Sequence, residues 1–170
     1  MLKTDFWKII DTTRKEANGD AEAHVETLTA TLREFDPNDL VTFQHWFDDY
    51  YARADTWDLW GAAYIIGGGC SDDGFMDFKG WLVSRGEKVF EAAMVDPESL
   101  TKTVKQDDEC QVEGFSHAAR WIWCEKTGRN FSEFPPSPLA ANSRGGPIGQ
   151  TWLEEDIDKR FPKLAKKFST

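Results

Sequence analysis

The sequence predicts an all-α protein, built as an orthogonal multi-helix bundle with a Pro/Gly-rich arm and a C-terminal helix. Apolar residues recur at spacings of three and four along most of the chain, and the alternation typical of strands is not sustained anywhere. Cap residues, prolines and glycine runs divide these stretches into helices of ordinary length. Because 40% of the 170 residues are hydrophobic, we expect one domain over residues 1–170 with a sizeable core.

The first three helices are predicted from amphipathic stretches that follow cap signals, and they open a helical core over about residues 4–128. Thr4 is a candidate cap for the first helix, which should end near residues 18–19. A second helix is expected to begin at Asp20. Asp36 followed by Pro37 combines an N-cap with proline at the first helical position, so a third helix should run from there to about Arg53.

The next three helices follow from the same signals. Asp55 is a candidate cap for a fourth helix, which the glycines at 67–69 must end. Ser71 is expected to cap a fifth helix, which should end near residues 84–86. A short sixth helix should follow, and Asp96 with Pro97 then predicts one more short turn.

The last third of the core and the C-terminal part are predicted less regularly. A seventh helix should cover about 113–125 and end at Gly128, and closely spaced proline and glycine then predict an irregular arm over 129–150. A last helix over 151–168 should break or restart at Pro162. Four apolar residues of the arm are expected to pack over the helices: Phe131, Phe134, Leu139 and Ile148.

Charge and composition exclude several classes of partner. The formal net charge is −10, and no stretch concentrates enough lysine and arginine to neutralise a phosphate backbone, so nucleic acid is not an expected partner. No apolar run approaches the ~20 residues that span a bilayer, so no membrane association is expected. The three cysteines form no disulfide framework, which favours a cytoplasmic protein.

Metal and cofactor motifs are missing from the sequence. The histidines, at positions 24, 45 and 117, lack the close spacing of zinc ligands. Neither glycine run matches a phosphate-binding loop. We therefore predict no metal site and no cofactor.

The segment from Gly67 to Phe78 is the main candidate site, because three glycines and three carboxylates meet there at a helix junction. One interpretation is structural, with Asp72 and Asp73 beside the positive end of the helix dipole. The other places Asp72, Asp73 and Asp77 in a cleft that binds a cation or a cationic ligand. Both interpretations stay open at the level of sequence.

Aromatic residues border this segment and suggest a recognition pocket. Trp57, Trp60 and Tyr64 share a face of the fourth helix, although aromatic stripes at this spacing are most often core. His117 is the histidine of most interest, since it lies on the aromatic seventh helix. The predicted ligand-binding set is Trp57, Trp60, Tyr64, Asp72, Asp73, Asp77 and His117.

Long stretches of the chain resemble a bacterial family called domain of unknown function 4240. The resemblance is carried by FWKII near the start, by WDLWGAAYIIGGGCSDDGFMDFKGWLVSRG in the middle and by DPESL after it. WLEEDI and FPKL near the end are also similar to the family. The resemblance implies no catalytic residues. Related domains stand alone or are attached to regulator-like modules, which favours a binding role.

Three functions are therefore expected candidates. The first is a binding module for a small molecule or a peptide, with an aromatic and carboxylate pocket between the fourth, fifth and seventh helices. The second is an acid–base or metal-assisted enzyme that uses Asp73 or Asp77 with His117. The third is a protein interaction partner of the immunity or regulator type, whose negative charge suits a basic target.

Overall fold

Helices form nearly all of the regular structure, as a computed structural model of the protein shows. The structure describes residues 1–138 and 145–168. Within these two ranges, extended pairing is limited to one isolated parallel bridge between Thr56 and Ile148. The predicted all-α class is confirmed.

The helices follow one another with short connections. The α-helices are α1 (Lys3–Glu16), α2 (Ala21–Leu32), α3 (Pro37–Arg53), α4 (Trp57–Gly67), α5 (Asp72–Ser84), α6 (Glu87–Val95), α7 (Ala118–Thr127), α8 (Ile157–Arg160) and α9 (Pro162–Phe168). Short 3-10 turns lie at Pro97–Lys102, Phe115–His117, Phe131–Glu133 and Glu154–Asp156.

Asp36 and Ser71 cap helices as predicted, and Asp20 caps the helix that was predicted to begin there. The Asp20 carboxylate accepts from the Ala23 N–H, and the Asp36 carboxylate caps α3 immediately before Pro37. The Ser71 hydroxyl accepts from the Gly74 N–H at 3.1 Å and caps α5. Each cap satisfies a backbone donor that the first turn of a helix leaves without a partner.

Two of the predicted caps are wrong. Thr4 lies inside α1, whose first residue is Lys3, and the Asp5 carboxylate accepts from the Leu2 N–H at 2.8 Å instead. Asp55 does not cap α4, because the Thr56 hydroxyl accepts from the Leu59 N–H. The Asp55 carboxylate instead binds Lys79 of α5, so a tertiary ion pair replaces the local cap.

The predicted bounds of the last helices also need correction. α7 begins at Ala118, because Gly114 has a φ of +88° and the 3-10 turn Phe115–His117 comes first. The predicted C-terminal helix is a 3-10 turn followed by α8 and α9, which separate before Pro162. In the arm, Phe134 is buried as expected, whereas Ile148 is 71% exposed. Leu139 lies outside the described residues.

A continuous aromatic core joins the helices. Phe6 of α1 contacts Phe43 and Tyr50 of α3, and Tyr50 in turn contacts Phe90 of α6. α3 also packs along α7, and α1 packs along α2. α5 packs against both α1 and α3. The core therefore fixes α1, α2 and α5 relative to one another.

The C-terminal segment returns across α4 and closes the core on that side. Phe161 packs directly over Gly61, where a side-chain Cβ would lie only 2.6 Å from the Phe161 ring. The Glu98 carboxylate accepts from the backbone N–H groups of Lys163 and Leu164, so a residue near α6 caps α9. Leu164 is fully buried, and the segment is therefore an integral part of the fold.

Candidate acidic groove

The predicted segment from Gly67 to Phe78 forms the junction between α4 and α5. Gly68 ends α4 in the left-handed region with a φ of +65°. Asp72 and Asp73 are exposed in the first turn of α5, where the helix dipole favours negative charge. The side-chain amide of Gln111 packs over Gly74, so the segment 103–113 is seated on this junction.

The predicted aromatic residues stack on one another beside this junction. The ring of Trp60 is parallel to those of Trp57 and Phe75, with centroids 5.3 and 5.0 Å away. The Trp60 indole donates to the Cys70 carbonyl at 3.1 Å. Tyr64 packs against Trp152, whose indole donates to the Trp57 carbonyl. These rings therefore form a column closed by the C-terminal segment.

Asp77 points to a different surface, which we call the acidic groove. It has a volume of about 770 Å³ and lies between the N-terminal half of α2, the outer face of α5 and the segment 103–113. Trp81 and Arg85 of α5 line it together with Val25 and Val112.

Negative charge dominates the lining of this groove. Eight of the lining residues are acidic: Asp20, Glu22, Glu26, Asp77, Asp107, Asp108, Glu109 and Glu113. Arg85 is the single lysine or arginine among the described residues that line it. Because carboxylates outnumber cations eight to one there, the groove carries a negative potential that attracts cations.

Contacts within the fold hold the Arg85 guanidinium in place. The Arg85 guanidinium donates to the Gly19 carbonyl and to the Ser84 hydroxyl, both at 3.3 Å, and it lies over the Trp81 ring. Burial, and then the nearby Arg14, lower the pKa of Arg85. Its contacts hold the guanidinium at the side of the groove, where the charges of Asp108 and Asp20 act on it.

The proton affinity of Asp77 reflects this charge imbalance. Partial burial, followed by the charges of Glu113 and Asp73, raises the pKa of the Asp77 carboxyl. Because the neighbours of Asp77 are also carboxylates, an approaching cation stabilises its charged form. Asp77 and Glu113 come from α5 and from the segment 103–113, so both walls contribute to the effect.

His117 ends the short 3-10 turn Phe115–His117, directly before α7, and this turn packs against α5. The centroid of the His117 ring is 5.5 Å from the centroid of the Phe131 ring. Partial burial of the ring and the guanidinium of Arg120 lower the pKa of His117. Although all three residues are described, no hydrogen bond joins His117 to Asp73 or Asp77. A hydrogen-bonded pair of His117 with either aspartate is therefore absent from the described residues.

The described part of the chain offers no preformed metal centre. No group of three or more histidine, cysteine, aspartate or glutamate side chains stands close enough there to hold a metal ion. The carboxylates of the groove are spread along its walls. In the same residues no helix is long and apolar enough to cross a membrane.

Most of the groove could not be found by reading the sequence around Asp77. Glu22 and Glu26 resemble ordinary exposed positions of an amphipathic helix, and residues 107–109 resemble a polar connection. The one available signal was the density of acidic residues between 107 and 113, next to buried Cys110 and Val112.

The described residues thus form an all-helical fold with an acidic groove on its surface. The chain belongs to the family described as Protein of unknown function (DUF4240), whose model matches residues 1–124. The matched region contains every residue that lines the acidic groove. No curated protein and no solved structure matches the chain.

Proposed function

We propose that the protein is a binding module whose acidic groove takes a lysine- and arginine-rich peptide segment of a partner protein. The observation that carries this proposal is the groove of about 770 Å³ with eight carboxylates and one cation along its walls. Opposite charge of this kind accelerates association and selects basic partners.

The spread of the carboxylates favours an extended ligand over a single ion. They come from three parts of the chain: the start of α2, the middle of α5 and residues 107–113. A divalent cation needs several oxygen ligands around one point. A peptide with successive cationic side chains matches carboxylates that are distributed along a groove.

The uncharged lining suits the same ligand. Val25 gives the groove a half-buried apolar patch, and Trp81 and Val112, which also line it, are almost fully buried. Lysine and arginine side chains place long methylene stems on such patches while their charged ends reach polar groups. This location replaces the predicted pocket between α4, α5 and α7 and retains Asp77 from the predicted set.

The proposal also unites two of the candidate functions expected from the sequence. A module that takes a peptide segment is at the same time a partner for a basic protein. The acid–base alternative draws no support from geometry, since His117 and Asp77 make no hydrogen bond with each other. Binding is therefore the function that the described surface supports best.

Neutralising the groove should weaken binding of a basic peptide. We expect the double variant Asp77→Asn/Glu113→Gln to raise the Kd for a hexalysine peptide about tenfold at low salt, because each charge contact contributes up to about 1 kcal/mol. Titration calorimetry at two salt concentrations measures this, and higher salt should weaken binding to the unaltered protein.

A matched control removes the same charge elsewhere. Glu16 and Asp158 are exposed and lie outside the lining of the groove. The double variant Glu16→Gln/Asp158→Asn should leave the Kd within about twofold, which corresponds to ~0.4 kcal/mol. Equal losses in both double variants, or no binding by the unaltered protein, would contradict the proposal.

A further inference from the structure

His24 stands out as a fully buried histidine in the helix that forms one wall of the groove. Its exposed fraction is 0%. Its Nε2 lies 2.8 Å from the Thr13 hydroxyl of α1. The Thr13 hydroxyl donates to the carbonyls of Ile9 and Ile10, so its oxygen accepts from His24 and Nε2 carries the proton.

The other ring nitrogen has no acceptor to bind if it becomes protonated. Nδ1 of His24 is buried and makes no hydrogen bond with the described residues. The edge of the Phe115 ring packs against the imidazole with centroids 4.9 Å apart. A second proton would therefore place a charge and an unsatisfied donor inside the fold, which is costly.

The charged groups around His24 make that proton more costly still. Arg85 of α5 and Arg14 of α1 oppose a positive imidazole. A hydrogen bond with the Ile10 carbonyl and the charge of Asp11, both in α1, favour it. Asp11 already accepts from the Arg14 guanidinium at 3.1 Å, which reduces its effect. Burial, and then the two arginines, lower the pKa of His24 to about 4.

His24 is also the main anchor of the part of α2 that lines the groove. The buried residues of α2 are His24, Leu28 and Leu32, so the first half of the helix, residues 21–27, has one buried side chain. That half contributes Glu22, Val25 and Glu26 to the groove.

We propose that His24 is an acid-sensitive latch that holds the first half of α2 against α1 while the imidazole is neutral and releases it when the imidazole is protonated. The open form binds one proton more than the closed form between the two pKa values. The closed form is therefore fully stable above the ordinary pKa of about 6.5 and loses stability as the pH falls towards 4. Acid would in this way dismantle one wall of the groove.

Hydrogen exchange on the intact protein tests the latch without any groove ligand. Between pH 6.5 and 5, protection factors of the amides at 24–27 should fall by up to about tenfold per pH unit, the limit for one linked proton. The amides at 43–47 in α3 should keep their protection. Simultaneous loss of protection in both helices would show global unfolding and overturn the proposal.

Two variants identify the responsible side chain. His24→Gln keeps a donor for Thr13 but does not titrate, so the acid-induced loss at 24–27 should disappear. His117→Gln removes another histidine and should still lose protection at 24–27 in acid. If His24→Gln kept this loss of protection and His117→Gln abolished it, the proposal would be overturned. If His24→Gln does not fold, titration of the His24 ring by NMR in the unaltered protein decides, since titration near pH 6.5 with closed α2 amides would contradict the proposal.

Discussion

Phe161→Ala is expected to lower the free energy of unfolding by about 3 to 5 kcal/mol, the range for removing a buried aromatic side chain. Phe161 is 6% exposed and packs over Gly61 in the middle of α4. The absence of a side chain at Gly61 creates the space that the ring fills. Alanine would leave a cavity between α4 and the C-terminal segment, and denaturant unfolding followed by tryptophan fluorescence measures the loss.

Leu153→Ala is the matched control for this variant. Leu153 belongs to the same C-terminal segment but is 62% exposed, so its replacement should change the free energy of unfolding by no more than about 0.5 kcal/mol. If Phe161→Ala were equally silent, the C-terminal segment would not be part of the cooperative fold.

Asp55→Asn is expected to cost about 3 kcal/mol, because it leaves the charge of Lys79 in a nearly buried position without its partner. The two side chains are joined at 3.0 Å and are 21% and 9% exposed. The Lys79 ammonium also lies over the rings of Tyr51 and Phe75, at 4.4 and 5.0 Å from their centroids. These rings offset only part of the loss, since a cation–π contact contributes about 0.5 to 2 kcal/mol.

Lys79→Met provides the contrast for this ion pair. It removes the buried charge and keeps a flexible side chain of similar length, so it should cost less than Asp55→Asn. Thermal and denaturant unfolding of both variants at neutral pH give the comparison. Equal costs would mean that the packing of Lys79, and not its charge, stabilises the contact between α3 and α5.

The helices could be predicted from sequence wherever a cap and an apolar stripe agree. Asp20, Asp36 and Ser71 satisfy both conditions, and α2, α3 and α5 begin where the sequence predicts. Prediction failed where tertiary contacts decide the role of a residue. The sequence predicts Asp55 as the cap of α4. In the structure its carboxylate pairs with Lys79, and the Thr56 hydroxyl caps the helix.

The candidate site was less predictable than the fold. The carboxylates of the Gly67 to Phe78 segment were visible, yet only Asp77 faces the groove. The other acidic residues are brought to it by α2 and by the segment 103–113, which are distant in sequence. Local spacing therefore singled out one residue of the groove, and the rest of its lining depends on how the helices pack.

Chemical-shift mapping by NMR tests the central claim most directly, because it shows where a basic peptide binds. Titration of the protein with hexalysine should shift the backbone amides of Val25, Gln111 and Glu113 on the two sides of the groove. The NMR signal of the Trp121 indole, which is 57% exposed on α7, should not shift. Shifts concentrated around Trp121, or an unchanged spectrum, would contradict the assignment of the acidic groove as the binding surface.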